Sequence, residues 1–505
     1  MENVFSKYKS VIVNFFLFVF IVIFFTSVSP IFPCDGDDWY FTGSMRLPWP
    51  MWGVFNPSKV LPEIIEPLGG YFAAFVVYPF TADYVASIAG TQAVVISAFI
   101  TLLFWMSFKY FHEKFSLSVS FALCIELIFF LLFFLVFKQK NQNSYYGFWS
   151  SDLNCYFNYI IPGVLNATLM LFMAKSDKFV QSGGGNKNGC IRAVLLIGIY
   201  LALFSNIQSS IILSGYCFIR FVETVIKSIR AKKQIFTVKE FWIYGAVDLF
   251  WLISLIFESS GLRAMGLTVG ANGFFIMPLS ESLSQYKVLF SYVGKYYSCV
   301  FLIFFVLAYL ILMIDRNIRE KFLVPLIRTV LLFVLVTTYL TLVHAKAGAW
   351  YGRRPDTMWP VIFLILMLTS LCVAIVFTKL KALEFCMIPM VFMLFVVAFN
   401  LNGKFIQFEQ DYSTAKRIND YIIRQVVTAD KAGQSKAVVK VPKGDPNAAN
   451  WPYPYNMAHW FQNALFSHNI ISNRISIEFV PDSSLNKILY KKNVEFVPFD
   501  DLEHD

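Results

Sequence analysis

The chain has 505 residues, of which 57% are apolar, 18% aromatic and only 15% charged. A soluble domain of this size would carry roughly 25% charged residues, so the composition excludes an ordinary soluble protein. The net charge of +10 does not indicate a nucleic-acid partner, because the basic residues stand mostly in short segments between apolar stretches. We therefore predict an all-α polytopic membrane protein that lies in a lipid bilayer.

Eleven apolar stretches predict helices that cross a bilayer, which takes roughly 20 residues per helix. They lie near residues 10–30, 84–108, 116–137, 157–174, 192–205, 208–225, 241–258, 292–314, 324–344, 358–378 and 384–401. The first is too long for the apolar core of a signal peptide, so we interpret it as an uncleaved span. The short pair 192–205 and 208–225 indicates a thinned or water-filled region.

The charges between these stretches predict the orientation. If the N-terminus is cytoplasmic, Lys and Arg collect in the cytoplasmic segments, following the positive-inside rule. With eleven spans the C-terminus is then outside. We divide the chain into a multi-span domain, residues 1–401, and a C-terminal region, residues 402–505.

Two large external loops are predicted within the multi-span domain, at residues 31–83 and 259–291. In the first, residues 70–80 are apolar but too few to cross, which favours an interfacial or re-entrant helix. The C-terminal region is richer in charge, Gly and Pro, and is long enough for a small extracytoplasmic α/β domain. A helix over 413–427 and a strand over 437–441 are predicted there.

The first external loop carries three carboxylates in four residues, Asp35, Asp37 and Asp38, followed by Trp39 and Tyr40. Aromatic residues of this kind favour the depth of the lipid headgroups. A carboxylate held there can act as a general base toward a sugar hydroxyl, or bind a divalent metal. The alternative is a solvated acidic loop without chemistry.

Two further patterns predict charged groups at this face. Lys59 and Glu63 are four residues apart and would share one face of a helix, either as an ion pair lining the site or as an ordinary surface pair. The segment 346–356 is basic although predicted external, and it contains Arg353 and Arg354. Because the guanidinium group binds phosphate through a planar fork of donors, we predict a lipid phosphate there; anchoring to anionic headgroups is the alternative.

Four more residues are candidates because they lie in or beside the predicted external loops. Asp152 and Tyr159 belong to the polar, aromatic segment 151–159, which runs into the beginning of the fourth span, and Arg263 borders the second large loop. His344 stands at the end of a span, where it is either a ligand or acid, or a packing residue.

These features together resemble the GT-C class of membrane glycosyltransferases. The shared layout is an N-terminal span, an external acidic pair beside aromatics, many further spans and an external C-terminal domain. In more detail, Asp37-Asp38-Trp39, Asn56-Pro57-Ser58-Lys59 and Pro62-Glu63 resemble the serotype-converting O-antigen glucosyltransferases of enteric bacteria and their phages.

The resemblance implies a hexosyltransferase of the bacterial inner membrane with a periplasmic C-terminus. The donor would be undecaprenyl phosphate carrying glucose, and the acceptor a sugar hydroxyl of the lipopolysaccharide O-antigen. A first-loop aspartate would deprotonate the acceptor, which maps to Asp37 or Asp38, and a single base predicts inversion. Charge alone, not a family motif, assigns Arg353 and Arg354 to the leaving phosphate. No cofactor is expected, and a divalent metal is not indicated; a small flippase and a polyprenyl-phosphate glucosyltransferase are implied as functional partners.

Other function classes stay open at this point. A transporter or flippase of lipid-linked sugars would place charges along a path within the spans, whereas here the external loops hold the acids. An O-antigen polymerase or ligase also uses external loops and arginines, but lacks the acidic pair after the first span. A scaffold or assembly protein would need no chemistry.

Overall fold

The computed structural model describes residues 2–34, 36–45, 57–175, 189–260, 276–408, 411–443 and 458–489. Two predicted site residues, Asp35 and Arg263, lie outside the described residues, as does the middle of the loop 259–291.

Helices make up most of the described chain. In chain order they are α1 (Glu2–Ile23, continued by the π-helical turn Phe24–Val28), α2 (Gly36–Gly43), α3 (Leu61–Thr81), α4 (Tyr84–Phe115), α5 (Val119–Leu135), α6 (Leu153–Lys175), α7 (Gly189–Leu203), α8 (Ile207–Arg230), α9 (Lys239–Ser260), α10 (Ile276–Ser291), α11 (Lys295–Ile314), α12 (Arg316–Ala347), α13 (Trp359–Lys379) and α14 (Met387–Asn400). Short 3₁₀ helices occupy Ile235–Thr237, Ala349–Arg353 and Lys381–Cys386. The C-terminal region adds α15 (Tyr412–Lys431), β1 (Lys436–Pro442), α16 (Ala458–Ser467), β2 (Ser476–Asp482) and α17 (Ser484–Leu489).

Nine of the described helices are long and apolar enough to cross a membrane, which confirms a multi-pass helical membrane protein. Eight of them coincide with predicted spans. The other three predicted spans, 116–137, 192–205 and 384–401, fall on shorter apolar helices. The ninth long helix is α3, which begins nine residues before the predicted interfacial segment 70–80.

Four π-helical turns interrupt the helices, and each ends two residues before a proline. They are Phe24–Val28, Leu61–Ile65, Ala73–Val77 and Tyr156–Ile160, and the prolines are Pro30, Pro67, Pro79 and Pro162. Proline lacks an N–H and its ring crowds the carbonyl four residues earlier. In α3 and α6 a turn widened by one residue relieves that conflict without ending the helix, whereas α1 ends with its π-helical turn just before Pro30. This is how α3 continues through Pro67 and Pro79 to its full length.

One end of the bundle, here called the Asp38 face, collects the carboxyl ends of α1, α5, α7, α9, α12 and α14 and the amino ends of α4, α6, α8, α11 and α13. Hydrogen bonds between the segments at these ends join Ser29 to Tyr146, Tyr146 to Tyr156, Ser209 to Tyr159, Gly294 to Val136, Lys138 to Gly403 and Ser150 to Asp356. Consecutive long helices therefore alternate in direction through the described part of the bundle.

The opposite face holds the other ends of the same helices. Its polar contacts join Lys175 to Glu113, Ser118 to Glu384, Lys379 to Asp315 and Arg328 to Glu223. Three of these four contacts are ion pairs, and each of the four joins two different helices or helix ends.

Helix α3 does not follow this alternation, because both of its ends contact the Asp38 face. Just before it, the backbone N–H of Lys59 donates to the carbonyl of Phe204 at 2.7 Å. At its end, the hydroxyl groups of Thr81 and Ser87 lie 2.7 Å apart, at the amino end of α4. In between, the amide of Gln92 donates to the carbonyl of Glu66 at 2.8 Å. Helix α3 thus lies along one face and supports the residues of the candidate site.

The C-terminal region also packs on the Asp38 face. Strands β1 and β2 are parallel, pairing Lys436 with Ser476 through Pro442 with Asp482, and α16 lies between them in sequence. The Phe461 ring of α16 meets Trp39 of α2 edge to face, with centroids 4.8 Å apart. A β-carbon at Gly43 would overlap the backbone of Ala464, so a glycine is needed where α2 and α16 cross. The predicted helix 413–427 and the predicted strand 437–441 lie within α15 and β1.

Candidate functional site

The two adjacent aspartates of α2 have different environments. Asp38 is fully buried, and its Oδ2 accepts a hydrogen bond from the backbone N–H of Cys34 at 2.8 Å. Its Oδ1 accepts from the backbone N–H of Asn154 at 2.7 Å. Asp38 therefore joins the segment after α1 to the beginning of α6. Asp37 is exposed on the same first turn of α2.

Asp37, Asp38, Asp152 and Glu66 form an acidic cluster. The charges of the three aspartates each repel the carboxylate of Glu66. Glu66 is fully buried on α3, and neither of its oxygens has a hydrogen-bond partner among the described residues. A buried carboxyl group without a partner is costly, so this position indicates a functional constraint. Glu66 was not among the residues predicted from the sequence; its only signal was a position three residues after Glu63, on one face of a helix.

Glu63 also lies close to α2. Burial, and then the charge of Glu63, raises the pKa of the Tyr40 hydroxyl. The Glu63 side chain is almost entirely buried. Tyr40 is half-buried, with its ring edge to face against Trp460 at 5.6 Å. Both candidates therefore line the border between α2 and α3.

Two other residues of the first loop have structural contacts. Trp39 is fully buried; it stacks on Tyr84 with ring centroids 6.4 Å apart and packs against α16. The ammonium group of Lys59 lies 4.0 Å from Glu258 at the end of α9, and the Ser58 hydroxyl donates to the same carboxylate. Lys59 has a left-handed backbone, with φ of 61°, immediately before α3 begins. The ion pair between Lys59 and a residue 199 positions later could not be predicted from local spacing.

A short bridging segment, residues 150–155, connects the acidic cluster to the segment 346–356 that carries Arg353 and Arg354, here called the arginine loop. Asp152 caps α6, its Oδ1 accepting from the backbone N–H of Cys155 at 2.6 Å. Asn154 in this segment donates to Asp38, as described above. On the other side, the Arg354 guanidinium donates to the Ser151 hydroxyl at 2.9 Å and to the Cys155 sulfur at 3.2 Å.

Arg354 forms a two-point ion pair with Asp356. Its Nε donates to Oδ1 at 3.0 Å and its Nη2 to Oδ2 at 2.6 Å. Burial alone would lower the pKa of Arg354, but the fully buried Asp356 raises it well above the usual range. The guanidinium also lies over the rings of Trp350, at 5.3 Å, and Tyr159, at 5.4 Å. Arg354 is thus a charged group fixed within the protein, with Tyr159 beneath it.

Arg353 is exposed beside it. The pKa of Tyr145 is raised by burial and by Tyr292, and lowered by the charge of Arg353, which places that guanidinium near the paired rings. The centroids of Tyr145 and Tyr292 lie 5.1 Å apart. Residues on both sides of Tyr292 in the sequence line an apolar groove of about 370 Å³, whose walls are mainly Val136, Phe137, Leu289, Val293, Phe301 and Ile362. The exposed cation is therefore near a tyrosine whose chain neighbours line a groove suited to a hydrocarbon chain.

His344 lies behind the arginine loop, at the end of α12. Its side chain is fully buried, and neither ring nitrogen has a hydrogen-bond partner in the described residues. Its ring centroid lies 6.3 Å from that of Tyr286 and 6.1 Å from that of Tyr351. Within the described ranges, no group of three or more His, Cys, Asp and Glu side chains is arranged to hold a metal ion.

No protein-family model matches the chain, and no curated protein or solved structure matches it significantly. What the sequence and the structure establish together is the class, because nine described helices are long and apolar enough to cross a bilayer. The chain is a multi-pass helical membrane protein.

Proposed function

We propose that this protein is an inner-membrane glycosyltransferase that moves a glucosyl residue from a polyprenyl-phosphate donor to a sugar hydroxyl of the O-antigen. The observation that carries the proposal is the bridging segment, which holds the acidic cluster and the arginine loop on one face through Asp38 on one side and Arg354 on the other. The reaction needs a base and an anion site side by side, and these two loops supply both.

Asp37 is assigned as the base. It is the exposed member of the aspartate pair, whereas both oxygens of Asp38 accept backbone hydrogen bonds. An acceptor hydroxyl gives its proton to Asp37 as its oxygen attacks the anomeric carbon. The bond from that carbon to the phosphate oxygen breaks, the lipid phosphate leaves, and a single in-line displacement inverts the configuration.

We assign Arg353 as the residue that binds the phosphate of the donor, and the apolar groove as the site that holds the donor's lipid chain. An exposed guanidinium can pair with phosphate oxygens as negative charge grows on the leaving group. A groove with apolar walls accepts an isoprenoid chain without burying polar groups. Arg354, already paired with Asp356, positions the loop that carries Arg353.

The distribution of basic residues supports an extracytoplasmic location of the Asp38 face. Lysines and arginines lie in the last turns of the helices that end on the opposite face, including Lys114, Lys175, Arg230 and Lys379. By the positive-inside rule that face is cytoplasmic. The donor then reaches the site as a lipid, and the C-terminal region lies in the periplasm.

The enzyme is favoured over a flippase because the carboxylates gather at one face. The two functions, glycosyl transfer and lipid flipping, are distinguished by reconstituting the purified chain in proteoliposomes with radiolabelled polyprenyl-phosphate glucose and a lipid-linked O-antigen acceptor. We expect label in the acceptor, in the anomeric configuration opposite to that of the donor. Movement of labelled donor between leaflets without transfer would contradict the proposal and favour a flippase.

A further inference from the structure

A second polar cavity lies on the opposite face, far from the acidic cluster. It has a volume of about 380 Å³ and is bounded by the last turns of α8, the segment that follows, the beginning of α9 and the middle of α12. Its lining residues that carry charge are Arg220, Lys227, Lys233, Glu240 and Arg328.

Positive charge exceeds negative charge around this cavity. Four cations line it against one carboxylate, Glu240. A second carboxylate, Glu223, lies behind the lining and accepts two hydrogen bonds from Arg328, at 2.8 and 2.6 Å. Even with Glu223 counted, four cations face two carboxylates, so the cavity favours an anion.

The two arginines are held in place. Glu223 fixes Arg328 and also lies 3.8 Å from Nε of Arg220. Arg220 is only 7% exposed, and its guanidinium lies 5.5 Å from the centre of the Tyr244 ring. Lys227 and Lys233 are exposed at the mouth of the cavity. Two fixed guanidinium groups inside the cavity and two exposed ammonium groups at its mouth are suited to a phosphate group that enters from outside.

The surroundings of the cavity place it at the depth of the headgroups. Phe236 and Trp242 are exposed beside the mouth, between and next to the lining residues Lys233, Val238 and Glu240. The indole N–H of Trp242 donates to the carbonyl of Phe236 at 2.9 Å. Exposed tryptophan near lysine is typical of a membrane interface, and basic pockets between helices at this depth bind anionic lipid headgroups.

We propose that this cavity is a binding site for the phosphate-containing headgroup of an anionic membrane lipid. A lipid headgroup and a free phosphate share the same chemistry, but only a lipid would also contact the exposed rings of Phe236 and Trp242 beside the mouth. The site is independent of the glycosyl transfer described above, since none of its lining residues belongs to the Asp38 face.

The test compares two double variants of the full-length protein in detergent. Lys227→Gln/Lys233→Gln removes two cations from the mouth, and Lys232→Gln/Lys239→Gln removes two from the same segment outside the lining. Each protein is titrated with phosphatidylglycerol, with phosphatidylcholine and with inorganic phosphate, and bound lipid is measured by native mass spectrometry. Each lysine near an anionic surface contributes about fivefold in affinity.

We expect wild-type protein to bind phosphatidylglycerol more tightly than phosphatidylcholine. The Lys227→Gln/Lys233→Gln variant should bind phosphatidylglycerol about 25-fold more weakly than wild type, and the control variant should bind it as tightly as wild type. Equal weakening in both variants would reduce the effect to general surface charge and overturn the site. Displacement of phosphatidylglycerol by millimolar inorganic phosphate would assign the cavity to a soluble anion and overturn the lipid.

Discussion

The pair Asp37-Asp38 and the pair Arg353-Arg354 resemble each other in an instructive way. In each pair one residue is committed to the scaffold: Asp38 to two backbone N–H groups, and Arg354 to Asp356. The other residue, Asp37 or Arg353, is exposed. For the aspartates the difference follows from helical geometry, because successive residues on an α-helix point about 100° apart, and at a surface one faces inward when its neighbour faces outward. For the arginines it follows from the end of the 3₁₀ helix, since Arg353 is its last residue and Arg354 has an extended backbone. Stability should depend on the inner members and chemistry on the outer ones.

The largest effect is expected at the inner arginine. Arg354→Ala leaves the buried Asp356 carboxylate without its cation, which costs about 3–5 kcal/mol. Thermal unfolding in detergent should show a clear loss, and expression should fall. In Arg354→Gln/Asp356→Asn, with neither charge present, most of the loss should return. A stable Arg354→Ala protein would contradict the structural role.

The next effect is expected at the inner aspartate. Asp38→Asn replaces one acceptor oxygen by an NH₂ group, so one backbone N–H, from Cys34 or Asn154, loses its partner. Leaving a buried donor unsatisfied costs about 1–3 kcal/mol, measurable as a lower unfolding temperature. If Asp38→Asn unfolds at the wild-type temperature while Asp37→Asn does not, the roles of the two aspartates are reversed.

A pH dependence tests the contact that supports α2 from the C-terminal region. Nε2 of His468 donates to the carbonyl of Thr42 at 3.1 Å, which leaves Nδ1 to accept from the Tyr84 hydroxyl at 2.6 Å. Burial lowers the pKa of His468 from 6.5 to about 4. Because the folded pKa lies below the unfolded one, the stabilisation is complete above pH 6.5 and is lost as the pH falls toward 4.

We therefore expect the unfolding temperature to fall between pH 6.5 and 4, and this part of the fall to disappear in His468→Gln. His459→Gln, at an exposed histidine near the beginning of α16, the helix that ends just before His468, serves as the control and should retain it. The same acid dependence in both variants would show that another group is responsible.

The smallest effect on stability is expected at the outer arginine. Arg353→Ala removes an exposed side chain, which changes unfolding by about 0.5 kcal/mol or less. Its effect should appear instead as a raised KM for the polyprenyl-phosphate donor, with the KM for the acceptor unchanged. Loss of folded protein comparable to that of Arg354→Ala would erase the distinction between the two arginines.

Local patterns could predict much of the fold. The length of the apolar stretches predicted the long helices, and the spacing of apolar residues predicted the strand β1 and the helix α15. The full extent of α3 was not foreseen, because Pro67 and Pro79 look like helix breakers and are accommodated by π-helical turns.

The candidate site was predictable in its outline but not in its roles. The sequence predicted both Asp37 and Asp38 as site residues but could not assign them different roles, because the difference depends on which of them has buried partners. The partners are distant in sequence: Asn154 for Asp38, Glu258 for Lys59, and the three aspartates around Glu66. Contacts of this range are set by helix packing, which leaves no local signature.

The most direct test of the central claim is glycosyl transfer by Asp37→Asn in proteoliposomes, normalised to folded protein. The control is Glu478→Gln, which removes an exposed carboxylate of the C-terminal region whose surface ion pair with Lys436 contributes little. We expect Asp37→Asn to lose transfer by about 10²-fold or more, with its unfolding temperature unchanged and the control fully active. Full transfer by Asp37→Asn would contradict its assignment as the base.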